Sequence, residues 1–166
     1  MLALAAEAAA AMVHICNPAF DLLTHGPVLA VRVREPSPEL IGEIVRAAAE
    51  LHAARGEKIV LVPIIGVDST PPDAQTRELG KSIFDELFAH VCELRIVHPG
   101  EGLRLTILRS VTTTMTLVAG MRGHPFFADK TVPAMLSALA QRHSVEVEAL
   151  TDRLLEAGML SREELG

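Results

Sequence analysis

The sequence predicts an α/β fold: a mixed, mostly parallel sheet opened by an N-terminal β-hairpin, with helices packed on it and further helices at the termini. Three stretches carry this. Residues 58–77, KIVLVPIIGVDSTPPDAQTR, run from an apolar strand through a loop to a helix start. Ahead of them, extended segments over 19–23 and 28–34 flank Thr24-His25-Gly26-Pro27, a turn-forming sequence. Behind them, short apolar strands alternate with helical patterns, which implies parallel neighbours joined by right-handed crossovers.

The central unit reads most clearly. Ile59, Val60, Leu61, Val62, Ile64 and Ile65 form a nearly continuous β-branched and aliphatic run, suited to a strand covered on both faces. Pro63 cannot donate to a ladder, so pairing is expected to weaken there or the strand to lie near an edge. Gly66 opens the loop. Thr70 is placed as an N-cap with Pro71 at the first helical position, and Asp73 completes a variant capping box. Gly80, Ile83, Phe84, Leu87, Phe88 and Val91 then fall on one face of the helix, opposite Gln75, Glu78, Lys81, Ser82 and Asp85.

The remaining elements follow in order. In VLAVRVR, Val31 and Val33 alternate with Arg32 and Arg34, implying one wet face near the strand's end. Pro36-Ser37-Pro38-Glu39 starts a helix with Leu40, Ile41, Ile44, Val45, Ala48 and His52 inward, stopped by Gly56. Residues 92–97 make a short strand. Leu108, Val111, Met115 and Val118 recur at helical spacing over 103–121 and are expected inside, against the β-branched propensity of 111–116. Phe126-Phe127 marks a last strand. Thr131 caps a helix with Met135, Leu136 and Leu139 inward, and a final helix over 145–157 stops at Gly158. Ser161-Arg162-Glu163-Glu164 resembles a capping box. The domains divide as a helical N-terminal extension over 1–18, alanine-rich in its first twelve residues, an α/β domain over 19–143, and a helical appendage over 144–166.

Composition excludes some functions. With no Trp or Tyr, five Phe and a net charge of −6, the chain lacks base-stacking platforms and a phosphate-binding surface, so no nucleic acid is expected. No apolar run reaches the roughly 18 residues of a spanning helix. Residues 1–12 lack the basic start of a signal peptide, and Glu7 interrupts their apolar run. Cys16 and Cys92, far apart and without a CxxC pattern, read as two buried thiols in a reducing, cytoplasmic compartment.

The element order, together with Asp68-Ser69-Thr70 before a helix, resembles the STAS domain of anti-sigma-factor antagonists. That family carries an Asp-Ser-Ser/Thr-Gly motif at a helix start. Here Pro71 stands in place of the glycine. A closer resemblance is to small STAS-like proteins of myxobacteria, through Pro71-Pro72-Asp73-Ala74 with Arg77, Gly102-Leu103-Arg104 before a helix with Arg109, and an aromatic at Phe127. It covers roughly residues 28–139. In the antagonist family the serine is a phosphorylated switch; the closer family brings no established activity.

The expected switch or partner-binding residues are therefore Asp68, Ser69, Thr70 and Arg77, since phosphate at a helix N-terminus gains from backbone N–H groups and the dipole. The alternative is a plain helix cap with two loop residues. Seven histidines show no compact ligand spacing, and no metal or cofactor is expected. His98 and His124 lie in Pro/Gly-rich loops that could meet at one sheet end, near Glu101 or Asp129. No nucleophile elbow is present, so no enzyme and no catalytic residue is expected. The threonines of 112–116 either line a pocket or subunit contact, or bond back to their own helix. The reading is a non-enzymatic regulatory or scaffold module with a protein partner, compatible with a homo-oligomer. The alternative is a small-molecule or lipid-binding protein with a pocket under the 103–121 helix.

Overall fold

The computed structural model describes residues 14–166; the alanine-rich stretch over 1–12 lies outside them. Six strands form one sheet in chain order: β1 (His14–Cys16), β2 (Phe20–His25), β3 (Val28–Val33), β4 (Ile59–Ile65), β5 (Val91–Val97) and β6 (Phe126–Asp129). β2 and β3 are the expected antiparallel hairpin, paired from Phe20↔Val33 to His25↔Val28 around Gly26, whose φ of 53° needs a glycine. β1 adds a second antiparallel pair, so the described end of the expected helical extension is an edge strand instead. From β3 onward every pair is parallel.

Because the sheet advances one strand at a time, crossovers of one hand put their helices on one face. These are α1 (Pro38–Arg55), α2 (Ala74–Ser82), α3 (Phe84–His90) and α4 (Leu103–Met121). Their Leu40, Ala48, Leu51, Leu87, Phe88 and Ala119 close over Leu22, Leu29, Leu61 and Ile96. The opposite face is covered by α5 (Val132–His143) and α6 (Val147–Glu156) with the turn that follows. Residues 144–166 thus contribute Val145, Leu150, Leu154, Met159 and Leu160 to the core over Val28, Val60, Val62 and Ile64.

Local chemistry sets most boundaries as read. Ser37 accepts from the Leu40 N–H at 3.1 Å, and Gly56, at φ 73°, ends α1. Thr131 accepts from the Ala134 N–H. Ser161 and Glu164 form a reciprocal capping box over the short turn Glu163–Leu165.

At Pro63 the pairing weakens as expected, since the register between β4 and β5 skips Val62 and Pro63, but the strand is central and not an edge, with Pro63 in register with Val31. The missing donor is thus tolerated inside the sheet. Several other expectations are corrected. Thr70 is not the cap. Asp73 is, accepting from the Thr76 N–H at 2.7 Å, and the helix begins at Ala74. Thr70 and Pro71 each precede a proline, and that clash drives both away from helical geometry. The helix then breaks at Ile83 (φ −91°, ψ −2°), which lets Phe84 stack on Phe126 and Phe88 on His124. Val91 begins β5 instead of ending the helix. Cys16 is exposed and Cys92 half-buried, so neither thiol is fully inside.

The largest correction concerns α4. The helix is present, but Val111, Met115 and Val118 are 53%, 42% and 49% exposed, whereas Leu105, Thr112 and Ala119 are buried. Two polar anchors fix its roll. Thr112 meets His98, and Arg109 donates to the carbonyls of His98 and Gly100 at 2.8 and 2.6 Å. Rolling the helix to bury the apolar stripe would strand the His98 ring and the Thr112 hydroxyl without these partners.

Asp73→Ala should lower the urea unfolding midpoint more than Thr70→Ala. The reverse order in chemical denaturation would return the cap to Thr70.

Candidate functional site

The loops that follow β3, β4 and β5 converge at the carboxyl ends of these parallel strands, although the unbroken strand order leaves no switch-point crevice there. Here those ends carry a set of buried charges. Arg32, last but one in β3, is 7% exposed, against the expectation of a wet face. The turn after α6 folds over it. Its Nη1 donates to Glu164 Oε1 at 2.9 Å and to the Met159 carbonyl at 3.3 Å. Its Nη2 donates to Asp68 Oδ1 at 2.8 Å. Arg34, one step further, donates to Asp21 at 2.6 Å, lies 3.4 Å from Asp68 Oδ2, and is held above its usual pKa chiefly by Asp21.

These contacts place the loop after β4. A Cβ at Gly66 would overlap the Arg32 guanidinium, so the glycine is required by close approach. Asp68 is bound by both arginines. Ser69 is 1% exposed, its Oγ turned to the Thr70 carbonyl at 3.5 Å and its N–H donating to the Gly66 carbonyl. Thr70 is exposed, donating through Oγ1 and N–H to the Arg34 carbonyl at 3.2 and 2.7 Å. Arg77 sits exposed on the first turn of α2, with its charge near Asp73 and Glu78. The four expected residues therefore share one end of the sheet, but Ser69 is inside and the others reach solvent. Arg32, Arg34, Gly66 and Glu164 complete the cluster and were missed. The alternating arginines of VRVR were the available signal.

His98 follows β5 at the same end. The Ile65 carbonyl, 3.2 Å from Nδ1, can only accept, so Nδ1 carries the proton. Nε2 then accepts from the Thr112 hydroxyl at 2.8 Å. Both ring nitrogens are engaged in the neutral form. Burial pushes the pKa of His98 down, and the Arg109 charge adds to this against the carbonyl contact. His124 lies at the other end of the sheet, ahead of β6, on Asp85 at 3.0 Å. The two histidines do not meet. Thr113, Thr114 and Thr116 donate to the carbonyls four residues back, the self-bonded alternative, leaving Thr112 as the threonine turned to a partner.

A second buried cluster lies on the α5 face. Arg95 binds Glu93 and both oxygens of Asp129, while Glu93 also takes Arg142 at 3.0 Å. Burial opposes the Glu93 charge, yet Arg95 and His143 hold its pKa below the ordinary value. Phe127 lies under both guanidinium groups, 4.6 Å from Arg95 and 5.3 Å from Arg142. Among the described residues no group of three or more His, Cys, Asp or Glu is placed to hold a metal ion, and no helix is long and apolar enough to cross a membrane.

No family model matches this chain, and no curated protein matches it.

The lowered His98 pKa gives stability a defined pH dependence. A neutral histidine in the fold contributes fully above its unfolded value of about 6.5, and the contribution is lost as pH falls through the folded value. His25, also lowered by burial and then by Arg153, acts in the same direction. The urea midpoint should fall between pH 7.5 and 5, and fall less in His98→Gln. Equal slopes for the two proteins would remove His98 from the account.

Proposed function

We propose that the protein is a non-enzymatic regulatory or scaffold module that binds another protein through the loop after β4. The observation that carries this is the loop's double fastening. Asp68 is tied to Arg32 and Arg34, so the exposed residues beside it, Val67 (55% exposed), Thr70 and Arg77, are presented from a fixed base. Preorganised loops lose less entropy on binding. The ionisable groups at this end are bonded to one another and to backbone, which suits a positioning role better than proton transfer. The STAS-like reading is supported by the strand order and by the loop's place before a helix. A cytoplasmic setting suits two free thiols, one of them exposed.

The switch falls on Thr70 more naturally than on Ser69. A phosphate on Thr70 would face solvent, whereas one on Ser69 would require the loop to leave the sheet. A pocket under α4 receives less support, because the sheet-facing side chains there, Leu105, Thr112 and Ala119, are each at most 4% exposed.

The test is affinity capture from native lysate with wild type, Thr70→Asp, Val67→Asp and, as a control on the outer face of α2, Lys81→Glu. The two loop variants should keep stability within about 0.5 kcal/mol, as surface changes do. They should recover a specific partner at least tenfold less well, about 1.4 kcal/mol, while the control recovers it as wild type does. Equal recovery by all four would remove the loop from partner binding.

A further inference from the structure

The exposed side of α4 is a separate feature, independent of the loop. Seven large apolar side chains stand on it, from Leu103 (79% exposed) through Ile107 (57%) and Val111 (53%) to Leu117 (66%), Val118 (49%) and Met121 (87%), with Met115 beside them at 42%. They lie nearly opposite the buried Leu105, Thr112 and Ala119, so the more apolar side of α4 faces out. Monomers seldom expose contiguous apolar patches beyond about 300–600 Å². A stable association buries about 800 Å² on each partner, and this stripe runs from the first to the last residue of α4.

We infer that α4 is the interface of a symmetric homodimer, packed antiparallel against α4 of a second copy. The arrangement of the stripe is self-complementary about its midpoint. Ser110 and Thr114 lie at the centre of the outward face, where small side chains let two helices approach closely. A two-fold axis between them sets Ser110 against Thr114 of the second copy, Ile107 against Leu117 and Val118, and Leu103 against Met121. Small residues meet small ones at the crossing and large ones meet large on either side, as an isologous contact demands. Charge agrees. Residues 103–121 contain no acid, and of their two arginines Arg109 is turned inward to the His98 and Gly100 carbonyls. The chain's net charge of −6 is therefore carried elsewhere and does not oppose the contact. A lipid surface fits less well, since interfacial helices carry a basic polar face that α4 lacks.

The test is sedimentation velocity of the full chain at micromolar concentration, with Ile107→Glu, Leu117→Lys and an equimolar mixture of the two. Wild type should sediment as a dimer. Each single variant should be a monomer with unchanged far-UV circular dichroism. The mixture should regain dimer, because the introduced glutamate of one copy then faces the introduced lysine of the other while the native pair remains on the second side. Monomeric wild type would overturn the inference, as would a dimer that survives Ile107→Glu. Failure of the mixture to pair would overturn the antiparallel arrangement. Monomeric protein that co-floats with phosphatidylglycerol vesicles would assign the stripe to a lipid surface instead.

Discussion

The Arg32 guanidinium is the constraint on which the carboxyl end of this sheet depends. A buried arginine is tolerable only when its donors are matched, and Arg32 is matched by a loop on one side and the chain's C-terminal turn on the other. Gly66 makes the space, Asp68 and Glu164 supply the charge, and the Met159 carbonyl takes a further bond. Removing one partner of such a pair typically costs about 3–5 kcal/mol, because the other charge stays buried. Three segments distant in sequence are thereby held in one geometry. The last of them, over 159–164, also closes the second hydrophobic layer through Met159 and Leu160.

Much of this fold was legible because local chemistry agreed with the global packing. The hairpin was marked by Gly26-Pro27, α1 by Ser37 and Gly56, and α5 by Thr131, and each signal acts within a few residues. Legibility failed where a distant partner decided. The roll of α4 is set by His98 and by the carbonyls of His98 and Gly100, so its more apolar stripe faces out and a threonine faces in. The start of α2 was misplaced for a local reason, since two consecutive prolines move the cap from Thr70 to Asp73.

The candidate site was legible in part. Asp68, Thr70 and Arg77 stand at the surface of the sheet end where the residue order put them, while Ser69 is sealed by the turn that carries its own N–H to Gly66. The alternating arginines flagged Arg32, but nothing local pointed to its partner Glu164, because their meeting spans 132 positions and depends on the final turn crossing the strand ends. Alternating arginines in a strand look like a solvated face. They become buried when a later segment supplies carboxylates at the right height.

The α4 stripe and the fastened loop leave the protein with two distinct outward features, one apolar and built for area, one small and built for position. The loop sits at the carboxyl end of the sheet on Arg32, and α4 crosses the sheet from that same end, held there by His98 and Arg109. Hydrogen exchange on Arg32→Lys tests this dependence most directly, since lysine keeps the charge but loses the fork that reaches two carboxylates at once. Exchange should quicken together in residues 66–70 and 159–165, with β3, β4 and β5 protected as in wild type. Unchanged protection in both segments, or loosening of only one, would contradict that dependence.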